Sequence, residues 1–120
     1  MQGFGSVKIE NDRSGIMVTL TFVFNKNKVK EAGCTEEELL RPMREHAKKY
    51  GIAEDEYGVF SKDGEDALCV LTMYVSRATR ENLDYVSYFD ELTLNVDGEV
   101  EDCIAETKKW YKMKGIHQEV

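Results

Sequence analysis

Cys34 is the best candidate nucleophile in this sequence, because it stands directly before a predicted helix that begins at Thr35. A thiol at a helix N-terminus can have a lowered pKa, and the thiolate is the reactive form. The available bases are His46 and His117. His46 would lie roughly 18 Å away along the helix, and His117 is close to the chain end. We therefore interpret Cys34 as an ordinary residue at a helix entrance and predict no catalytic residues.

Metal and phosphate chemistry lack a sequence signature. The chain has no CxxC or HxxxH spacing, and neither GxxxxGK[ST] nor GxGxxG occurs. The Asp-Gly pairs at 63–64 and 97–98 suggest calcium loops, but placing each glycine at loop position six puts Val59 or Thr93 at position one, where an acid is needed. We expect no metal, no cofactor and no enzymatic activity.

Carboxylates dominate residues 51–106, where fifteen acidic side chains meet three basic ones, a local balance of −12. The whole chain carries −7, which disfavours direct binding to nucleic acid or to anionic membranes. We predict a partner-binding role for the acids of this segment that fall in predicted turns, near strand ends or at the start of the last helix: Glu54, Asp55, Glu56, Asp63, Glu65, Asp66, Asp90, Glu91, Asp97, Glu99 and Glu101. Glu99 and Glu101, with Asp102, are also expected to favour the positive end of that helix.

An aromatic group accompanies these acids: Tyr57, Tyr85, Tyr88 and Phe89. Tyrosines beside acids are common anchors at protein interfaces. The same group could equally be the rim of the hydrophobic core. We include the four as candidate partner-binding residues and leave both interpretations open.

The elements that must position these residues begin with a predicted β-hairpin. Val7 and Ile9 alternate with polar neighbours, a turn follows at 11–15, and residues 16–24 resume the period of two. A helix is predicted from Thr35, with Glu38 completing a capping box. It ends at Gly51, and Pro42 predicts a kink or a break in its first half.

The second half of the chain predicts more strands. Residues 57–60 indicate a short strand, and residues 67–76, apolar on both faces, indicate a central one. A short helix is predicted near residues 83–89, a strand over Leu92–Val96, and a last helix from Glu99 to Lys114 that stops at Gly115.

In this order the elements form one α+β domain over residues 1–120, ββαββαβα, with an antiparallel sheet and helices mainly on one face. We favour the strand order 1-2-4-3, with the fifth strand peripheral. The alternative is a ferredoxin-like βαββαβ core over residues 16–96, with an added N-terminal strand and C-terminal helix. The predicted hairpin argues against that alternative. Its first strand would pair with the edge of strand 16–24 that the fifth strand would need in the ferredoxin-like arrangement.

The cysteines and the start of the chain indicate the cellular location. Cys34, Cys69 and Cys103 are an odd number at wide spacings, as expected of free thiols in a reducing compartment, and the last two fall on apolar faces. The start of the chain resembles no secretion signal, and no apolar run approaches the roughly 20 residues of a membrane helix. These features predict a cytoplasmic protein.

Three hypotheses for function remain. The preferred one is a non-enzymatic acidic protein that occupies the nucleic-acid groove of a basic partner, such as a nuclease complex, as anti-CRISPR and other anti-defence inhibitors of phages and mobile elements do. The second is a toxin-neutralising or structural partner with an apolar or aromatic interface. The third is a small cytoplasmic enzyme or ligand-binding dimer with a pocket between sheet and helices. Both a monomer and a homodimer fit the sequence.

Overall fold

The computed structural model describes residues 16–115. The predicted strand at Val7 and Ile9, its turn and residues 116–120 lie outside the described residues. The elements are β1 (Met17–Phe24), α1 (Lys26–Glu31), α2 (Glu36–Tyr50), β2 (Ala53–Glu56), β3 (Val59–Asp63), α3 (Ala67–Glu81), β4 (Phe89–Val96), β5 (Glu99–Asp102) and α4 (Cys103–Met113), with a 3-10 turn at Tyr85–Tyr88 before β4. The predicted α+β class is confirmed.

The five strands form one antiparallel sheet in the order β2-β3-β1-β4-β5. Strand β1 is central, and its Leu20 lies opposite Phe60 of β3 on one side and Leu94 of β4 on the other. The favoured order 1-2-4-3 is therefore wrong. The elements β1, α2, β2, β3, α3 and β4 instead follow the ferredoxin-like βαββαβ arrangement of the alternative, to which β5 and α4 are added.

The prediction of a central strand over residues 67–76 is wrong, because this segment forms the first two thirds of helix α3. Its buried residues Ala67, Val70, Leu71 and Tyr74 recur at helical spacing, whereas Leu68 and its neighbours on the other side are exposed. A short apolar run does not distinguish a strand from a buried helix by pattern alone. The fifteen-residue length without glycine or proline decides for the helix.

The C-terminal part differs from the prediction in two respects. The strand predicted at Leu92–Val96 begins earlier, at Phe89, and lies beside β1 rather than at the periphery. The last helix begins at Cys103, because Asp97 and Gly98, with φ of 55° and 98°, form a tight hairpin turn that folds residues 99–102 back onto β4 as β5.

Helix α2 begins and ends where the sequence predicts. Thr35 and Glu38 form the reciprocal capping box, and Gly51 closes the helix with a left-handed φ of 72°. Pro42 lies inside the helix without breaking it. Its side chain is exposed, so its ring points away from the packed core.

One face of the sheet is covered by helices. Val18, Leu20, Phe22 and Phe24 of β1 are buried in a core that also contains Met43 of α2, among other helix residues. The intervening side chains of β1 point to the opposite face, where Met17 is 46% and Val23 40% exposed. The described helices pack on the core side of the sheet, not on this second face.

Candidate partner-binding surface

The open face of the sheet is the side opposite the helices. The strand register assigns its members from the positions that alternate with the core. They are Met17, Thr19, Thr21 and Val23 of β1, Ala53 and Glu56 of β2, Val59, Ser61 and Asp63 of β3, Glu91, Thr93 and Asn95 of β4, and Val100 and Asp102 of β5. Hydroxyl and small apolar side chains occupy the middle of this open face, and carboxylates lie towards its rim.

The carboxylates of the open face differ in their partners. Asp55 belongs to it because the Ser61 hydroxyl donates a hydrogen bond to its Oδ2, and Asp102 accepts the backbone N–H groups of residues 104 and 105 to cap α4. Glu56, Asp63 and Glu91 form no hydrogen bond or ion pair with another described side chain. These three are therefore available to a partner.

Basic side chains are absent from the open face of the described strands. Every lysine and arginine between residues 16 and 115 lies in a helix except two. One is Lys114, the C-cap of α4, and the other is Lys62, which pairs with Val18 and therefore points to the helix side of β3. The fold thus keeps lysine and arginine off the open face of the described strands, whereas carboxylates occur on both sides of the sheet.

A second set of acids gathers at one end of the sheet. The Gly64 N–H donates to the Ile16 carbonyl at 3.1 Å, and the Asp97 N–H donates to the Met17 carbonyl at 3.1 Å. These two bonds hold the β3–α3 connection and the β4–β5 turn on either side of the start of β1. Acids more than thirty positions apart in sequence therefore become neighbours of one strand end: Asp63, Glu65, Asp66, Asp97 and Glu99. Among them Asp66 alone has an ion pair with a described residue, Lys62 at 3.5 Å.

The two edge strands are also acidic, and all of their residues are in contact with solvent. Their sequences are AEDE in β2 and EVED in β5. Charges on an edge strand oppose pairing with another sheet, so some of these acids protect the fold from edge-to-edge association. This structural role applies to Glu99 and Glu101, which the sequence assigned to the first turn of a helix. Only Asp102 serves that helix.

Three predicted acids point to the helix side: Glu54, Glu101 and Glu99, which lies opposite Val96. Glu54 lies opposite Phe60 and forms a fork-shaped ion pair with Arg44, while also accepting the Gly58 N–H. The hydrogen bond from Arg44 holds the pKa of Glu54 below its ordinary value, against an opposing effect of burial. Glu101 lies opposite Leu94 and lines a cavity between α3 and α4. Asp90 is exposed at the irregularity where the pairing of β4 with β1 shifts register.

The aromatic candidates divide between core and surface. Tyr85 is 6% exposed, and its hydroxyl lies 2.9 Å from that of Tyr74. Phe89 is equally buried, against Phe22 and Phe24. Neither can contact a partner while the core is closed. Tyr88 is half-buried, and Tyr57 is the exposed member, with its hydroxyl donating to Glu36 Oε1 at 2.8 Å.

Among the described residues, the Cys34 thiol and the His46 ring have separate partners. The Cys34 thiol is directed at the Val29 carbonyl, whereas His46 is buried with Nε2 2.9 Å from the Val70 carbonyl. Burial, reinforced by nearby carboxylates, raises the pKa of Cys103 to about 12, so this thiol is protonated at neutral pH. Cys69, predicted in the core, is exposed on α3.

Residues 16–115 contain no group of three or more histidine, cysteine or carboxylate side chains arranged to hold a metal ion. They also contain no helix with the length and apolar character needed to span a bilayer.

Residues 16–115 form an α+β fold with a ferredoxin-like sheet order, and the face of the sheet opposite the helices is acidic. Comparisons with protein-family models, with curated proteins and with solved structures find no match for the chain.

Two features of the structure were not predicted from the sequence. The hydroxyl-rich centre of the open face follows from the alternation in β1, where Thr19 and Thr21 stand between core residues, but its extent depends on strand pairing across β1. The cavity between α3 and α4 was hidden because its α3 wall was assigned to a strand. The helical spacing from Ala67 to Tyr74 was the signal that could have shown it.

Proposed function

We propose that this protein is a non-enzymatic inhibitor whose acidic open face and adjoining sheet end bind a basic surface on a nucleic-acid-handling protein. The observation that carries the proposal is the single sign of the charge on the open face, which holds carboxylates and no lysine or arginine among the described strands, although both charges are abundant in the chain. Charge that served only to keep the protein in solution would not require cations to be excluded from one face of the sheet.

The arrangement suits a groove that normally holds nucleic acid. Such a groove attracts phosphates with lysine and arginine, and displacement of counterions supplies much of its affinity. Carboxylates held on a rigid sheet can form the same ion pairs without the phosphate backbone. The threonines and small apolar side chains in the centre permit close approach, which is the usual anatomy of an interface with a less charged centre and a polar rim.

The size of the face requires additional contacts. From Met17 to Val23 the sheet extends about 20 Å, and its five strands are about 19 Å wide at the usual spacings. An area of about 400 Å² is half of what one partner contributes to a stable interface, about 800 Å². The acids at the sheet end, Asp97 and Glu65 among them, are the natural continuation of this surface.

A charge-reversal pair tests the proposal. In the double variant Asp63→Lys with Glu91→Lys, two open-face carboxylates become cations. The matched control, Glu31→Lys with Glu45→Lys, makes the same change in total charge at exposed positions of α1 and α2. All three proteins are used as bait in a lysate of the source cells, and each captured protein is then purified for measurement of its affinity at several salt concentrations.

We expect a captured basic protein to bind the wild type and the control alike, to bind the open-face variant at least tenfold more weakly, and to lose its nucleic acid when wild-type protein is added. Binding should weaken as salt rises, chiefly through slower association. Equal loss of affinity in both double variants would show that only total charge matters. A partner that binds nucleic acid unhindered by this protein would contradict the proposed inhibition.

A further inference from the structure

The cavity between α3 and α4 is separate from the open face and lies on the helix side of the sheet. It has a volume of about 230 Å³, and the residues that decide its chemistry are Arg80, Glu101, Glu106, Thr107 and Trp110. Val75 and Leu94 form its apolar part, and Cys103 also lines it. The volume corresponds to roughly eight water molecules at about 30 Å³ each, which suits a small metabolite rather than a drug-sized ligand.

The charges in this cavity are of both signs and remain apart. The Arg80 guanidinium lies over the Trp110 ring, 5.4 Å from its centroid, and forms no ion pair with a described residue. Glu101 and Glu106 line the same cavity and likewise have no basic partner within the described chain. A ligand with one negative and one positive group could therefore pair with both walls at once.

Thr107 supplies an independent observation. It is only 9% exposed and lines the cavity, yet its hydroxyl makes no hydrogen bond to a described residue. By contrast Thr72 and Thr79, on the opposite wall, both bond carbonyl groups of their own helix. A buried hydroxyl without a partner costs free energy, and such groups normally bond protein or water. A polar ligand in the cavity would satisfy it.

We infer that this cavity binds a small zwitterion, an α-amino acid with an apolar side chain. Its carboxylate pairs with Arg80 and accepts a hydrogen bond from Thr107, its ammonium group pairs with Glu101 and Glu106, and its side chain contacts the apolar wall beside Trp110. The step is binding alone. The nearest nucleophile, Cys103, is a neutral thiol at physiological pH.

The chain carries its own reporter for this inference, because Trp110 is its single tryptophan. The experiment titrates the full-length protein with L-leucine and records the tryptophan fluorescence, with calorimetry as a second measurement. Two probes of similar shape test the need for both charges: 4-methylpentanoate lacks the ammonium group, and 3-methylbutylamine lacks the carboxylate. We expect saturable binding of L-leucine with Kd of about 1 mM or tighter, and binding of each singly charged probe about tenfold weaker or more.

Variants assign the binding to the cavity. Arg80→Gln should weaken L-leucine binding about tenfold, since a charge-assisted hydrogen bond is lost, and Thr107→Val should weaken it about threefold or more through the lost hydroxyl. The control Arg77→Gln, one turn away on α3 and outside the cavity lining, should bind L-leucine as the wild type does. The inference is overturned if L-leucine gives no saturable response, if either singly charged probe binds as tightly, or if Arg80→Gln leaves the affinity unchanged.

Discussion

Arg44 and Glu54 form a two-point ion pair that ties helix α2 to the edge strand β2. Arg44 Nε lies 2.9 Å from Glu54 Oε1, and Arg44 Nη2 lies 3.0 Å from Oε2. Arg44 also binds Glu37 on its own helix, and its guanidinium lies 5.8 Å from the centre of the Tyr57 ring. The arginine therefore sits at the centre of a small network that fixes an otherwise exposed strand.

Replacing Glu54 by glutamine should lower the free energy of unfolding by about 0.5–1 kcal/mol at pH 7, the usual range for a partly exposed ion pair of good geometry. The pKa of Glu54 is lowered in the folded protein, so its contribution is present at neutral pH and is lost as pH falls through that folded-state pKa, below 4.5. Urea unfolding at pH 7 and at pH 3 measures both effects. Glu56→Gln, on the same strand and without an arginine partner, is the control and should change little. A Glu54→Gln defect of the same size at both pH values would contradict the role of the charge.

Gly58 is required where β2 turns into β3. It has φ of 76°, its carbonyl accepts the Phe22 N–H at 2.8 Å, and a Cβ atom built on it would lie 2.9 Å from the Phe22 carbonyl oxygen. Gly58→Ala should therefore destabilise the protein by about 2–4 kcal/mol, from the left-handed backbone and the clash with main chain together. Gly33, with φ of 74° and nothing near its Cβ position, separates the two effects. Gly33→Ala should cost only about 1 kcal/mol. Thermal unfolding measures both variants. Equal losses of stability for Gly58→Ala and Gly33→Ala would show that the clash with the Phe22 carbonyl is relieved.

Tyr111 anchors α4 to α3, because its buried hydroxyl donates to the Thr79 carbonyl. Tyr111→Phe removes this bond and leaves a buried carbonyl with one fewer donor, so we expect a loss of about 1 kcal/mol. Tyr50→Phe is the matched control, since the Tyr50 hydroxyl has no hydrogen bond to a described residue. Chemical unfolding monitored by Trp110 fluorescence measures both variants. A Tyr111→Phe protein as stable as the Tyr50→Phe protein would contradict the anchoring role.

The N-caps of α2 and α3 differ in a way that unfolding experiments can detect. Thr35 accepts the Glu38 N–H at 3.1 Å, and Glu38 accepts the Thr35 N–H at 2.9 Å. Asp66 makes no side-chain cap bond and has helical backbone angles. Thr35→Ala should therefore cost about 1 kcal/mol and Asp66→Ala less than about 0.5 kcal/mol. A larger loss of stability for Asp66→Ala than for Thr35→Ala would contradict this prediction and show that Asp66 caps α3 in solution.

The candidate site was predicted only in part. The acids stand out from the composition alone, and the structure places two of them, Asp63 and Glu91, on the open face. The sequence could not distinguish Glu54 from these open-face acids, because its partner Arg44 lies in another element, helix α2. Tyr85 and Phe89 were ambiguous, because the same aromatic side chains serve in a core and at an interface. Side-chain direction in a short or bulged strand depends on its register, which the local sequence does not specify.

The sequence by itself determined the elements whose signals are local. The alternation of β1, the capping box of α2 and its glycine end all depend on bonds and steric limits within a few residues. Tertiary structure decided whether residues 67–81 would be strand or helix, which strands flank β1, and which acids share a face. Those outcomes depend on burial and pairing between residues far apart in the chain, where the whole core determines the lowest free energy and no short segment does.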